Sequence, residues 1–158
     1  MSLTVNTTIN GQAVSASAEA STSLLEFLRD TLEMKGSKLC CNTGECGACT
    51  VIYNGKPINS CVTMAADANG AEIITIEGLA DGDKLHPVQQ AFIDTGAVQC
   101  GYCTPGYIIS VKALLDRTTK PTAEDIEEAV SGNICRCTGY NKIVDAIHLA
   151  ADRIAGRA

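Results

Sequence analysis

The amino-acid sequence predicts an α+β fold in which a small sheet-containing domain precedes a helical one. Two hairpin signals, Asn10-Gly11 and Asn54-Gly55, stand in the first half between short stretches typical of β-strands. Glycine, aspartate and proline break the periodicity between residues 78 and 87, and helical spacing follows. We therefore predict two domains, residues 1–77 and residues 78–158.

The first domain is predicted to contain two hairpins, one further strand and one helix. Residues 3–9 pair with 12–18, residues 50–53 pair with 56–60, and residues 72–76 form the further strand. Ser23 and Glu26 have the spacing of a capping box, which predicts a helix start between the hairpins. The apolar face of this helix consists of Leu24, Leu25, Leu28 and Leu32.

The second domain is predicted to be a four-helix bundle, because four helical segments follow one another with short connections. The first begins at Pro87 and ends at Gly96, and the second runs from Thr104 to about Arg117. Thr122 caps the third, and the fourth carries an apolar stripe that includes Ile143 and Ile147.

The composition of the chain bears on its binding partners and on the chemistry of its cysteines. A formal net charge of −6 without a Lys/Arg cluster disfavours nucleic acid and anionic lipid as partners. We expect neither a signal peptide nor a membrane-spanning helix, and hence a cytoplasmic protein without membrane insertion. Nine cysteines in a cytoplasmic chain indicate metal ligation or redox chemistry more than disulfides.

One set of cysteines in the first domain has the spacing of a plant-type ferredoxin, with gaps of four, two and eleven residues. Its members are Cys41, Cys46, Cys49 and Cys61. Gly44 and Gly47 allow the loop to turn backbone N–H groups toward the sulfurs, which stabilises thiolate charge on an iron pair. The pattern favours a [2Fe-2S] cluster. Zinc is the alternative, although zinc ligands usually come as paired short spacings from two knuckles.

A second set of four cysteines lies in the helical domain, within QCGYCTPG and GNICRCTGY. Its members are Cys100, Cys103, Cys135 and Cys137. Both pairs lie at or near predicted helix starts, so two loops can converge on one centre beside positive helix ends. The set favours a second two-iron cluster, with zinc or a redox dithiol as alternatives.

The order and spacing of GECGACTV, QCGYCTPG and GNICRCTGY resemble the small iron-sulfur subunit of the xanthine oxidase family of molybdenum hydroxylases. The resemblance runs from about Leu3 to Ala151. It implies a β-grasp ferredoxin domain followed by a four-helix bundle, each holding a [2Fe-2S] cluster. It also implies that the two sets of four cysteines are the cluster ligands.

The resemblance assigns two residues to the pterin side of the second cluster. Gln99 matches a glutamine that contacts the pterin in such enzymes, and Cys137 matches a ligand that also faces the pterin. From the residues alone, Gln99 is more simply a polar group that bonds to the backbone beside a helix. His86 and His148 are interpreted as surface or packing residues.

Cys40 departs from the family pattern, in which glycine usually precedes the first ligand. It leaves the ligand register open, because it could replace Cys41. The four-residue gap to Cys46 favours Cys41, since Cys40 would lengthen that gap to five. We expect Cys40 to be a small buried residue with an inert thiol.

The resemblance implies an electron-transfer subunit, with no catalysis by this chain alone. Electrons would pass one at a time from the molybdopterin cofactor of a large catalytic subunit through both clusters. The acceptor would be FAD in a medium subunit, or a cytochrome subunit. The substrate would be an aldehyde, a purine or another N-heteroaromatic compound. The alternatives are a free-standing ferredoxin-type electron carrier and a structural zinc-binding module.

Overall fold

The computed structural model describes residues 2–157 and contains a five-stranded sheet followed by helices. The strands are Ser2–Ile9 (β1), Gln12–Glu19 (β2), Thr50–Tyr53 (β3), Lys56–Asn59 (β4) and Glu72–Ile74 (β5). The α-helices are Leu24–Glu26 (α1), Pro87–Asp94 (α2), Thr104–Arg117 (α3), Ala123–Val130 (α4) and Asn141–Ile154 (α5). This confirms the predicted α+β class.

The sheet is mixed, with strand order β2-β1-β5-β3-β4. Both predicted hairpins are present, β1 with β2 and β3 with β4, each antiparallel. Strand β5 lies between the hairpins, parallel to β1 and antiparallel to β3. It ends at Ile74 rather than residue 76, because residues 76–78 form a 3-10 turn instead.

The first core lies between the sheet and α1. The predicted capping box is present, since Ser23 Oγ accepts the N–H of Glu26 and the Glu26 carboxylate accepts the N–H of Ser23. The helix is shorter than expected and continues as a π-helical turn, Phe27–Thr31. Its buried residues pack with Val5 and Ile73 of the sheet.

Helices α2 to α5 enclose a second core, in which Tyr107 and Phe92 are among the largest buried side chains. Helix α2 contacts α5 and α3, and α3 also contacts α4 and strand β3. A third, smaller apolar cluster joins Ile52 of β3 to Ile109 and Ala113 of α3. The sheet and the helical half therefore share buried surface. Between residues 2 and 157, no helix has the length and apolar content to cross a membrane.

Candidate iron-sulfur sites

The first cysteine loop connects the π-helical turn to β3 and is shaped by residues in left-handed conformations. Asn42, Gly44 and Gly47 have φ values of 58°, 81° and 68°. The backbone N–H groups of Thr43 and Cys46 donate to the Cys41 sulfur at 3.5 and 3.4 Å. This confirms the expectation that the loop directs amide groups toward a sulfur, as cluster-binding loops require.

The remaining thiols of the first set lie beside this loop. The thiol of Cys46 contacts that of Cys41, and the thiol of Cys49 contacts that of Cys61. Cys61 lies in a 3-10 turn directly after β4, Ser60–Val62. Ser60 Oγ fixes this turn by donating to the carbonyl oxygen of Cys49 at 2.7 Å. The hairpin end thus brings the distant fourth cysteine to the other three.

The thiols of the first set differ in acidity. Hydrogen bonds from the Thr43 hydroxyl and from the N–H groups of Thr43 and Cys46 lower the pKa of Cys41 to about 5. Burial, together with the neighbouring Cys49 thiol, raises the pKa of Cys61 to about 11. A cation between Cys49 and Cys61 would remove this penalty, because an opposite charge favours the ionised thiol.

The second set is formed by the loops that precede α3 and α5. The thiol of Cys100 contacts that of Cys137, and the thiol of Cys103 contacts that of Cys135. Thr138 donates to the Cys135 sulfur from its hydroxyl at 3.1 Å and from its N–H at 3.4 Å. Both sites therefore have hydrogen-bond donors aimed at one of their sulfurs.

The second set also contains one thiol with a lowered pKa and one with a raised pKa. Burial opposes ionisation of Cys135, but hydrogen bonds from the Thr138 hydroxyl and backbone lower its pKa. Burial and then the hydrogen bond with Cys135 raise the pKa of Cys103 to about 12. Hydrogen bonds therefore favour ionisation of Cys135, whereas burial disfavours ionisation of Cys103 and a nearby metal cation would favour it.

In both sets the thiols contact one another in pairs. Among residues 2–157, no three His, Cys, Asp or Glu side chains converge as ligands of a single metal ion. A two-iron cluster takes two cysteines at each iron, and the paired thiols have the arrangement that such a cluster needs.

The two cysteine sites are neighbours. A cavity of about 200 Å³ is lined by Cys46 of the first set and by the four cysteines of the second. The Ile134 N–H, next to Cys135, donates to the carbonyl oxygen of Cys46 at 3.0 Å. This backbone hydrogen bond thus joins Cys46 of the first set to Ile134, the residue before Cys135 of the second set.

Cys40 is placed differently from the expectation of a buried residue. It is exposed, and it lines the cavity between the sites. Its thiol contacts that of Cys46, which raises the pKa of Cys40. The prediction of burial was wrong because Cys40 precedes the turn of the loop and faces the cavity between the sites instead of a core. The spacing separated Cys40 from the four proposed ligands but gave no sign of the direction of its side chain.

Gln99 is exposed, and within residues 2–157 its side chain makes no hydrogen bond. The hydrogen bond to the backbone that was expected from the residues alone is therefore not present among the described residues. His86 is the N-cap of α2, and its Nδ1 accepts the N–H of Val88 at 3.2 Å. His148 is exposed, which agrees with a surface residue.

Residues that support the cysteines were missed from the sequence. Thr43 and Thr138 each follow a cysteine of their set and donate to a sulfur, which the short spacing could have indicated. Asn133 and Tyr102 join the two loops to each other, which only the tertiary structure reveals.

Family comparisons agree with this geometry. Residues 7–75 match a family described as a 2Fe-2S iron-sulfur cluster binding domain. Residues 75–148 match one described as a [2Fe-2S] binding domain. The chain therefore contains two [2Fe-2S]-binding regions, one for each set of cysteines.

Full-length relatives carry similar descriptions. The nicotinate dehydrogenase small FeS subunit of Eubacterium barkeri is 49% identical over 97% of this chain and 98% of its own length. The nicotine 6-hydroxylase small subunit of Paenarthrobacter nicotinovorans is 41% identical over 97% of this chain and 92% of its own length.

Solved structures of two oxidoreductases contain a region with the same fold as this chain. A chain of quinoline 2-oxidoreductase from Pseudomonas putida 86 superposes with a TM-score of 0.92 at 37% identity, covering 99% of both chains. The aldehyde oxidoreductase of Desulfovibrio gigas superposes with a TM-score of 0.93 at 42% identity over 99% of this chain, which spans 18% of that larger chain. The chain thus belongs to the small, two-cluster iron-sulfur subunits of the xanthine oxidase family of molybdenum hydroxylases, as an electron-transfer component.

Proposed function

We propose that this chain carries electrons through two [2Fe-2S] clusters from a molybdenum-containing catalytic subunit to a second redox partner. The observation that carries the proposal is the paired contact of thiols in two adjacent sites. The ligands of the first cluster are Cys41, Cys46, Cys49 and Cys61, and those of the second are Cys100, Cys103, Cys135 and Cys137. Such clusters accept and release single electrons at potentials tuned by hydrogen bonds to sulfur.

The second cluster faces the molybdopterin cofactor in this proposal. Cys100 and Cys137 are exposed, and so is Gln99, whose free side chain can contact a pterin. Exposed apolar residues surround them, including Tyr102 and Ile134, with 46% and 55% of their surface accessible. Large apolar residues exposed around a redox site favour docking to a dedicated partner over a free-standing carrier.

The first cluster then passes electrons to the acceptor, FAD in a medium subunit or a cytochrome subunit. The complex oxidises an N-heteroaromatic compound, a purine or an aldehyde, in keeping with the names of the nicotinate, quinoline and aldehyde enzymes above. The substrate itself is bound by the large subunit, so no residue of this chain contacts it. The use of cysteine as a ligand supports a cytoplasmic location.

We also propose that the two halves are separate domains, residues 1–77 and 78–158. The first has a β-grasp arrangement, in which the mixed sheet packs on α1. The second is a four-helix bundle of α2 to α5. Distinct apolar cores in the two halves support this division.

Metal analysis tests the cluster assignment. The anaerobically purified chain should contain about four irons and four acid-labile sulfides, without zinc. Electron paramagnetic resonance (EPR) of the dithionite-reduced protein should show two distinguishable signals. Zinc without sulfide, or iron for a single cluster, would contradict the assignment of one or both cysteine sets.

Purification from native cells tests the partner assignment separately. A large molybdenum-containing subunit should co-purify with the chain. Ile134→Ser should weaken this association while leaving the iron and sulfide content unchanged, because the Ile134 side chain is 55% exposed and only its backbone N–H bonds to the first cysteine loop. A chain that purifies alone with both clusters would instead identify a free-standing electron carrier.

A further inference from the structure

Asn133 is a buried polar residue between the two cysteine sites. It lies two residues before Cys135, and 5% of its surface is exposed. Its Nδ2 donates to the carbonyl oxygen of Gly47 at 3.0 Å, across the boundary between the two halves of the chain. Gly47 lies between Cys46 and Cys49, so this bond connects the two cysteine loops directly.

The same side chain is fastened on its other side by helix α3. Ser110 Oγ donates to Asn133 Oδ1 at 2.8 Å, and Tyr107 Oη donates to the Asn133 carbonyl oxygen at 2.5 Å. Tyr107 is fully buried in the helical core. The orientation of the Asn133 amide is therefore fixed by the core of the helical half.

The contact with Gly47 leaves no free space. A Cβ atom at position 47 would lie 2.3 Å from Asn133 Nδ2 and 2.4 Å from the carbonyl oxygen of Gly132. Glycine is thus the residue that permits this approach. A close contact held by a hydrogen bond on each side allows one separation between the loops.

Two further hydrogen bonds cross the same boundary. The Tyr102 hydroxyl donates to the carbonyl oxygen of Leu39, and the Ile134 N–H donates to that of Cys46. In all three bonds the donor belongs to the second site and the acceptor to the first. Asn133 differs from the other two because its side chain is held by both halves.

We propose that Asn133 is a positioning residue that fixes the distance between the two clusters and thereby sets how strongly they interact. This inference rests on the proposed cluster ligands. Electron transfer between two centres and the magnetic interaction between them both fall steeply with separation. A change at Asn133 should therefore alter the interaction without removing either cluster.

The test compares three variants of the full chain loaded with both clusters. Asn133→Asp keeps the shape and the Ser110 bond but replaces the donor with an oxygen that faces the Gly47 carbonyl. Ser110→Ala keeps the Gly47 bond but releases the Asn133 amide from α3. The matched control is Thr7→Val, which removes a buried hydrogen bond to the Ala71 carbonyl within the first half.

The measurement is the spin–spin splitting in the EPR spectrum of the fully reduced protein, compared with samples in which one cluster is reduced. We expect the splitting to be lost or clearly reduced in Asn133→Asp, reduced less in Ser110→Ala, and unchanged in Thr7→Val. Iron and sulfide content should equal that of the wild type in all three. If the loss of any buried hydrogen bond were enough to reduce the splitting, Thr7→Val would reduce it as well.

The outcomes separate the inference from the proposed function. A wild-type chain with zinc or with one cluster overturns the proposed function. Two clusters with unchanged splitting in both Asn133→Asp and Ser110→Ala overturn the inference alone, as does a wild-type spectrum without any interaction. Where Asn133→Asp fails to retain its clusters, Ser110→Ala decides: reduced splitting supports the inference, and unchanged splitting overturns it.

Discussion

At the scale of single residues, Gly106 shows how closely α3 approaches the first cysteine loop. A Cβ atom at this position would lie 2.0 Å from the carbonyl oxygen of Gly47. The atom in the way belongs to the backbone, so it cannot move without displacing the loop. Close approach at Gly106 therefore helps to set where the two halves meet.

Gly106→Ala should destabilise the protein although alanine is the better helix former. Alanine in a helix is normally about 1 kcal/mol more favourable than glycine. Overpacking here should reverse the sign and cost about 1–3 kcal/mol in the free energy of unfolding. Chemical denaturation measures the difference. Gly132→Ala is the control, because a Cβ there meets no atom within 4 Å. Equal effects of the two substitutions would contradict the close approach.

Cys103→Ser should remove the second cluster and leave the first. The thiol of Cys103 contacts that of Cys135, which also belongs to the second set. The variant should therefore keep about two of the four irons, together with the EPR signal of the ferredoxin-type cluster. Iron analysis and EPR of the reduced variant measure this. Cys40→Ser is the control and should keep both clusters, because Cys41 receives the amide donors of the loop. Loss of both signals in Cys103→Ser would show that the sites are not independent.

The sequence was informative for residues whose role depends on local spacing. The glycines of the first cysteine loop predicted that backbone N–H groups turn toward a sulfur, and the N–H groups of Thr43 and Cys46 do donate to Cys41. This could be predicted because donors and acceptor lie in one short loop. Asn133 was not predicted, because its importance depends on Gly47, which is 86 residues away. Cys40 was placed wrongly in the interior, since spacing alone does not give side-chain direction.

At the scale of elements, α2 begins with an unusual cap. His86 Nδ1 accepts the N–H of Val88 at 3.2 Å, and the His86 N–H donates to Gln89 Oε1 at 2.9 Å. Only an unprotonated Nδ1 can accept a hydrogen bond. Burial, and then the charge of Lys112, lower the pKa of His86, with a smaller opposing effect of Asp116.

Stability should therefore decrease as pH falls below about 6.5, the ordinary pKa of histidine. The folded-state pKa is depressed, so the unfolded chain binds more protons in this window and the free energy of unfolding falls with pH until the folded pKa is passed. The loss should be about 1 kcal/mol, comparable with that of a helix cap. Denaturation followed by helical circular dichroism at about pH 7.5 and about pH 5.5 measures it.

His86→Asn serves as the matched comparison, because asparagine caps helices without titrating. Cluster loss or other acid effects are common to both proteins and cancel in the difference. The variant should lose less stability than the wild type over the same interval. Identical pH dependence of the two proteins would show that His86 does not titrate with folding.

Element positions were predicted well where the signal is local. The predicted bounds of α3 agree with Thr104–Arg117, and the capping boxes at Ser23 and Thr122 are both present. The place of β5 between the two hairpins was not predicted, because strand order depends on long-range pairing. The conversion of α1 into a π-helical turn also has no signal in its apolar spacing.

At the scale of the whole molecule, the two halves are joined by more than a linker. Each has its own apolar core, yet Ile52 of the sheet packs on Ile109 and Ala113 of α3. The hydrogen bonds between the cysteine loops lie along the same boundary. A composition shift at residues 78–87 could indicate a connection but not a shared interface. The cluster sites are thus held together by apolar packing as well as by hydrogen bonds.

Ile109→Ala should weaken this junction and separate the unfolding of the two halves. Ile109 is 1% exposed, and truncation of such a residue costs about 2–5 kcal/mol. In the wild type, visible absorbance of the clusters and far-ultraviolet circular dichroism of the helices should change in one transition, because the interface couples the cores. In the variant the two probes should report different midpoints.

Leu28→Ala is the matched control for this prediction. Leu28 is fully buried in the first core and lies outside the shared cluster. Its truncation should lower the stability by a similar amount while both probes still change together, since the junction remains intact. Coincident transitions in Ile109→Ala would mean that the hydrogen bonds between the cysteine loops couple the halves without help from the apolar cluster.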